Sequence, residues 1–102
     1  MVLKDYGGLT MKLHSLDMVL GERRQITLEL IPRNTDDEII ISSANYLLIC
    51  GDIVESSGVP TVDGLELTVT VEPKKEGTYI LEYHINIAGE IIIRRFYLYV
   101  KR

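Results

Sequence analysis

Residues 65–72 (LELTVTVE) alternate aliphatic and polar side chains at every position. A period of two with one apolar side is typical of a β-strand that packs one face on a hydrophobic core. The same alternation runs through residues 24–31 and 78–87, and no segment follows the helical period. The pattern therefore predicts an all-β protein.

The residue types agree with that class. The chain contains 13 Ile, 8 Val and 7 Thr but only two Ala. β-Branched side chains lose rotamer freedom in a helix and pack well on a pleated sheet. Because the 102 residues contain no internal repeat and no low-complexity tract, we expect a single domain.

Turn signals divide the chain into short segments. We expect strong strands at residues 24–31, 45–50, 65–72, 78–87 and 90–101, and weaker ones at 9–13, 17–20 and 53–55. Residues 39–42 are expected to be a strand end or a bridge, residues 33–38 and 56–64 loops, and residues 1–8 a mobile lead-in. This spacing favours an immunoglobulin-like antiparallel β-sandwich of about seven to eight strands. Its domain spans residues 21–102, and residues 1–20 form an N-terminal arm or a first strand.

A local motif supports the immunoglobulin-like arrangement. Residues 77–81 (GTYIL) have the spacing of a tyrosine corner, in which a tyrosine hydroxyl bonds to backbone a few residues upstream. We expect the Tyr79 hydroxyl to meet the backbone of residues 73–76. Leu81 occupies the position of the second disulfide cysteine of antibody domains, and Leu28 is its expected partner.

The alternation also assigns a core. The predicted inner positions are Leu28, Tyr46, Leu67, Val69, Tyr79, Leu81, Tyr83 and Phe96, and the last strand adds Ile92, Leu98 and Val100. The single cysteine, Cys50, excludes an intrachain disulfide and is expected to be a small buried hydrophobe. Apolar packing must therefore take the place of the disulfide.

No catalytic signature is present in the sequence. It contains no serine-nucleophile elbow, no paired cysteines and no glycine-rich phosphate loop. His84 is expected to decorate a solvent face beside Glu82. Residues 36–38 (DDE) could bind calcium together with Asp52, but they lack EF-hand spacing, and a solvated loop is the other interpretation. We therefore expect no enzymatic activity, no cofactor and no metal site.

Charge and hydropathy narrow the choice of partners. The net charge of −4 and the pI near 5.1 disfavour a nucleic-acid module, whose binding face is usually basic. No apolar run approaches the roughly 18 residues of a membrane span, and residues 1–20 lack the pattern of a signal peptide. We expect protein partners, with no nucleic acid, no membrane insertion and no small-molecule substrate.

One predicted sheet face is apolar on its outer side. In an immunoglobulin-like sandwich, residues 45–50, 78–87 and 90–101 share a sheet, and their outward positions are Leu47, Ile49, Ile80, Ile91, Ile93, Tyr97 and Tyr99. The expected polar rim consists of Glu82, His84, Arg95 and Lys101. An apolar patch with a polar rim is typical of a protein–protein interface. The alternative is that residues 1–20 fold back and bury this face within the monomer.

From about residue 25 to residue 100, the order of motifs resembles the small immunoglobulin-like accessory proteins of phage and prophage particles. The shared segments are ITLEL (26–30), ANYLL (44–48), GDIVESSG (51–58), VDGLELTVTV (62–71), the 73–81 segment with GTY, and IAGE (87–90). The resemblance implies a non-enzymatic structural component of the tail, baseplate or head–tail region. Such a component contacts other protein subunits, in the virion or in the host cytoplasm during assembly. The same skeleton is similar to bacterial surface immunoglobulin-like modules, which implies the alternative of an adhesion or accessory domain of a host protein.

Overall fold

A computed structural model describes residues 1–5, 15–31 and 39–102 of the chain. All regular structure in these residues is β-strand, as the alternation predicts. The nine strands are β1 (Val2–Asp5), β2 (Ser15–Val19), β3 (Arg24–Leu30), β4 (Ile41–Cys50), β5 (Ile53–Gly58), β6 (Thr61–Asp63), β7 (Glu66–Val71), β8 (Gly77–Ile87) and β9 (Glu90–Lys101). They form two sheets that pack face to face on one core.

The strand order is that of an immunoglobulin-like sandwich. The four-stranded sheet has the order β1-β3-β7-β6, and the five-stranded sheet has the order β2-β9-β8-β4-β5. Strands β3, β7 and β6 correspond to B, E and D of an immunoglobulin domain, and β9, β8, β4 and β5 correspond to G, F, C and C′. The predicted β-sandwich without a disulfide is confirmed.

The N-terminal segment changes two details of that prediction. β1 pairs with β3 in parallel, and β2 pairs with β9 in parallel, so both sheets are mixed rather than purely antiparallel. The mobile lead-in predicted at residues 1–8 is wrong for β1, which buries Leu3 and Asp5. A strand of four residues is too short for its alternation to stand out from a polar linker. The strand predicted at residues 9–13 and the loop at 33–38 lie outside the described residues.

Two further boundaries differ from the sequence prediction. Residues 41–50 form one continuous strand, β4, and residues predicted as a loop supply the end of β5 and all of β6. β6 has three residues, and all of them are exposed. An apolar pattern cannot reveal a strand that buries nothing. Because β1 and β6 were both unexpected, the described residues contain nine strands in place of the predicted seven or eight.

The predicted core is confirmed except at three residues. Seven of the eight core residues are buried, and Leu98 and Val100 join them, whereas Tyr46, Cys50 and Ile92 are half-buried. The Tyr46 ring covers Gly58, where an added Cβ would lie 3.2 Å from Tyr46 Cε1. Tyr83 connects the two sheets, since its hydroxyl donates to the Ile26 carbonyl at 2.8 Å. Burial raises the pKa of Tyr83 and keeps this donor protonated.

The tyrosine corner is also confirmed. The Lys75 N–H donates to the Tyr79 hydroxyl oxygen at 3.1 Å, and the Tyr79 hydroxyl donates to the Glu55 carboxylate. Glu55 accepts a second bond from the Lys74 N–H at 2.9 Å. The register between β4 and β5 shifts at this point, because Leu48 pairs with Ser56 and Ile49 pairs with Val54. Glu55 is therefore the extra residue of a β-bulge, a feature that can redirect a side chain.

Candidate protein-interaction face

The candidate site is the outer side of the five-stranded sheet, which we call the five-strand face. On β8, Leu81 and Tyr83 point into the core, so Ile80 and Glu82 point outward. The register aligns such outward positions in rows across β9, β8 and β4. All seven residues of the predicted interface lie on this face: Leu47, Ile49, Ile80, Ile91, Ile93, Tyr97 and Tyr99.

Three of the exposed apolar side chains of the five-strand face lie on a single strand. Ile91, Ile93 and Tyr99, all on β9, are 60%, 40% and 39% exposed. The other four interface residues are half-buried among their neighbours. Val19 on β2 and Val54 on β5, which are 55% and 50% exposed, also face outward, so the open apolar surface of this face extends from β9 toward both edges of the sheet.

The described part of the N-terminal arm does not cover this face. β1 joins the four-stranded sheet beside β3, and β2 extends the five-stranded sheet beside β9. The Met18 side chain of β2 turns into the core. The alternative in which residues 1–20 bury the face is therefore wrong for β1 and β2, and residues 6–14 lie outside the described residues.

A cluster of three polar residues, Glu82, His84 and Arg95, lies in the middle of the five-strand face and not at its rim. Glu82 Oε2 accepts from Arg95 Nε at 2.8 Å, and Glu82 Oε1 lies 2.5 Å from His84 Nε2. Burial alone would raise the pKa of Glu82, but the hydrogen bonds from Arg95 and His84 outweigh it and hold that pKa below its usual range. Since Ile93 lies on one side of this group and Tyr97 on the other, the predicted rim is wrong for all three residues.

The reason for this correction is the strand register. The alternation shows that Glu82, His84 and Arg95 face outward, but it does not show which residues of neighbouring strands lie beside them. In the structure Glu82 pairs with Arg95, and His84 pairs with Ile93, near the middle of β8 and β9. Opposite charges at directly paired positions were the only sequence signal of this cluster, and that signal requires the hairpin register.

The outer side of the four-stranded sheet, which we call the four-strand face, differs in composition. Its central strands present Gln25, Thr27, Glu29, Glu66, Thr68 and Thr70. The Thr27 and Thr68 hydroxyls lie 2.8 Å apart and form a hydrogen bond across β3 and β7. This face shows the polar character expected of an antiparallel sheet that faces water.

Two surface grooves lie beside β7. The larger, about 400 Å³, includes Tyr46, Val59, Asp63 and Thr68 in its lining, and the smaller, about 260 Å³, includes Glu55 and Lys74. Most of the residues that line them carry hydroxyl, carboxylate or other polar groups.

The metal interpretation gains no support from the part of the chain that the structure describes. Within it, no three His, Cys, Asp or Glu side chains come together as a metal site would require. Asp52 lies exposed in the turn after β4, and the remaining acidic residues of the calcium hypothesis, 36–38, lie outside the described residues. The remaining candidate ligand, His84, contacts the Glu82 carboxylate through its Nε2 atom.

Comparison with family models and with curated proteins finds no match to this chain. The resemblance to phage accessory proteins therefore stays a prediction. Among the described residues, no helix has the length and apolar character needed to cross a membrane.

Proposed function

We propose that this protein is a non-enzymatic structural module that joins other protein subunits through its five-strand face. The observation that carries the proposal is the difference between the two outer faces of one sandwich. The central strands of the four-strand face present threonine, glutamine and glutamate, whereas the outward side of β9 presents two isoleucines and two tyrosines beside Arg95 and Lys101. If both outer faces were exposed only to water, we would expect them to have similar residue compositions.

The energetics support a contact surface. Leaving a large apolar side chain in water forgoes roughly 1.5–3 kcal/mol relative to burial. Ile91, Ile93 and Tyr99 together therefore offer a substantial driving force for association, and tyrosine is enriched at interface centres. The polar group formed by Glu82, His84 and Arg95 gives such a surface directional contacts as well as apolar area.

The setting that we propose is a phage or prophage particle, in its tail, baseplate or head–tail region. Its support is the resemblance of residues 25–100 to the accessory proteins of such particles. Mass spectrometry of particles purified from induced cells tests this setting. We expect the chain in the particle at a fixed ratio to the other structural proteins, and its recovery only from the cell surface would favour an adhesion domain instead.

The contact function has its own test in the cells that encode the protein. The double variant Ile93→Lys with Tyr97→Glu places two charges on the five-strand face. We expect it to remove the tagged protein from its native complex in size-exclusion chromatography without lowering the melting temperature by more than a few degrees.

The matched control introduces the same two charges on the opposite side of the molecule. Gln25→Lys with Thr70→Glu changes a directly paired position of the four-strand face, and we expect it to leave the complex intact. A complex that survives the first double variant would overturn the proposed function. Unfolding of that variant would show that the face is buried within the monomer, with the same consequence.

A further inference from the structure

We propose that the partner on the five-strand face is a second copy of this chain, related by a two-fold axis that runs parallel to the strands between β8 and β9. This inference rests on the proposed function, since it names the occupant of the same face. It is carried by the charges of the face, by the register of β8 and β9, and by the position of the exposed apolar residues.

The charges of the face allow two copies to meet. The chain carries a net charge of −4, so two copies repel each other over most of their surfaces. The outward charged residues of β2, β8 and β9 are Asp17, Glu82, Arg95 and Lys101, and their formal charges cancel. The five-strand face is thus a neutral surface on an acidic protein, so two copies that meet through it encounter no net charge repulsion there.

The register makes the face complementary to itself. Because Arg95 on β9 pairs with Glu82 on β8, a two-fold axis between these strands places Arg95 of one copy over Glu82 of the second copy, and the reverse. The existing pair, with its Nε–Oε2 distance of 2.8 Å, becomes one half of a ring of four alternating charges. The same operation places Tyr97 over Ile80 of the second copy, and it places Ile91, Ile93 and Tyr99 over Asn86, His84 and Thr78.

The exposed residues favour this axis over one that crosses the strands. An axis between β8 and β9 covers β9 along its whole length, including Ile91, Ile93 and Tyr99. A two-fold axis perpendicular to the strands at Tyr97 would place the Tyr97 residues of the two copies on each other. It would leave Ile91 at the margin of the contact, in water. A closed two-fold contact is also the commonest form of homo-oligomer.

A charge-reversal pair tests the proposed contact. We expect the purified wild-type protein to sediment as a dimer that dissociates on dilution. Glu82→Arg alone and Arg95→Glu alone each place like charges opposite each other in a homodimer, so each should self-associate at least about 100-fold more weakly. An equimolar mixture of the two variants restores opposite charges at both positions, and we expect a one-to-one heterodimer.

Cross-linking locates the axis independently of charge. In a Cys50→Ser background, Ile91→Cys is offset sideways from the proposed axis by about half a strand spacing, roughly 2.4 Å, and Val54→Cys on β5 by about two and a half spacings, roughly 12 Å. We expect a short bismaleimide to link the first variant to itself in high yield and the second hardly at all. The reverse result would overturn the axis.

The outcomes separate this inference from the proposed function. A purified protein that stays monomeric at every concentration, and a mixture that forms no heterodimer, would overturn self-association. The native complex of the tagged protein, and its loss in the Ile93→Lys with Tyr97→Glu variant, would still support contact with a different subunit. If both purified charge variants fail to fold, the cross-linking comparison decides the question by itself.

Discussion

Two polar contacts anchor this sandwich, and they are built in opposite ways. The tyrosine corner joins Tyr79 to Lys75, four residues upstream, with Glu55 as a third member. The second anchor joins Asp5 of β1 to Arg94 of β9, where Arg94 Nε donates to Asp5 Oδ2 at 2.5 Å across a separation of 89 residues. The first closes a local connection, whereas the second joins the N-terminal strand of one sheet to the last strand of the other.

The Asp5–Arg94 contact and the tyrosine corner also differ in how deeply they are buried. Asp5 is 3% exposed, and the Arg94 side chain is 24% exposed and lies on the inward side of β9. The corner has the exposed residues Lys74 and Lys75 among its members. The free-energy cost of a charge on the inward side of the sandwich depends strongly on its partner, because water cannot fully replace that partner. The long-range anchor should therefore be the costlier one to break.

The largest expected effect is that of Asp5→Ala. The substitution leaves the Arg94 guanidinium beside the core without the carboxylate that it faces. Removal of one member of a buried pair costs roughly 3–5 kcal/mol, and the partial exposure of Arg94 places this case near the lower value, about 3 kcal/mol. Urea unfolding monitored by tyrosine fluorescence measures the difference.

The double variant Asp5→Ala with Arg94→Met is the control for this effect. It removes both charges, and the Met side chain fills the apolar surroundings of Arg94, which include Leu30 and Ile92. We expect it to recover most of the lost stability, since an apolar replacement of a buried pair is often neutral. Equal stability of the single and double variants would show that the ion pair is not what holds β1.

A smaller effect is expected at the bulge residue of the corner. Glu55→Ala removes the acceptor of both the Lys74 N–H and the Tyr79 hydroxyl, and an unsatisfied partner costs roughly 1–3 kcal/mol. Glu55→Gln keeps an acceptor and should lose less than half as much in the same unfolding experiment. Ser57→Ala, an exposed change on the same strand, should be neutral; a loss there as large as that of Glu55→Ala would contradict the assignment.

The same comparison explains how much of the fold the sequence predicts. The corner was predictable because its glycine, tyrosine and backbone partner lie within a few residues. The alternation of β9 turns Arg94 inward, but its partner Asp5 carries no such signal, since the four residues of β1 are too few to show a pattern. Long strands such as β8 and β9 were predictable from alternation, whereas the exposed three-residue β6 was not.

The candidate site follows the same division. Alternation alone places Ile91 and Tyr97 on an outer face, because that assignment needs only the strand and its inward side. The position of Glu82 beside Arg95 requires the register of the β8–β9 hairpin. The absence of cover by β1 and β2 requires the path of the N-terminal arm, which depends on contacts far apart in sequence.

Tyr79→Phe is expected to have a smaller effect than either anchor substitution above. It keeps the ring in the core and removes only the hydroxyl, which exchanges hydrogen bonds with Lys75 and Glu55. A typical hydrogen bond contributes roughly 0.5–1.5 kcal/mol net, and we expect a loss in that range. Tyr83→Phe serves as the comparison, because its hydroxyl is buried deep between the sheets and should cost at least as much. A Tyr79→Phe variant with wild-type stability would show that the hydrogen bonds of the corner do not contribute to the free energy of unfolding.

The smallest expected effect is a pH dependence of the difference in unfolding free energy between wild type and Tyr79→Phe. Burial, followed by the hydrogen bond to Glu55, raises the pKa of Tyr79 to about 12, whereas the unfolded chain has a tyrosine pKa near 10. A raised folded pKa means that the contribution to stability is complete below the unfolded pKa and is lost as the pH rises through the folded one. The gap in unfolding free energy between wild type and Tyr79→Phe should therefore be constant up to about pH 9 and should shrink between about pH 10 and 12. All other tyrosines are common to both proteins and cancel in the difference, so a gap that stays constant to pH 12 would place the Tyr79 hydroxyl in an ordinary solvent environment.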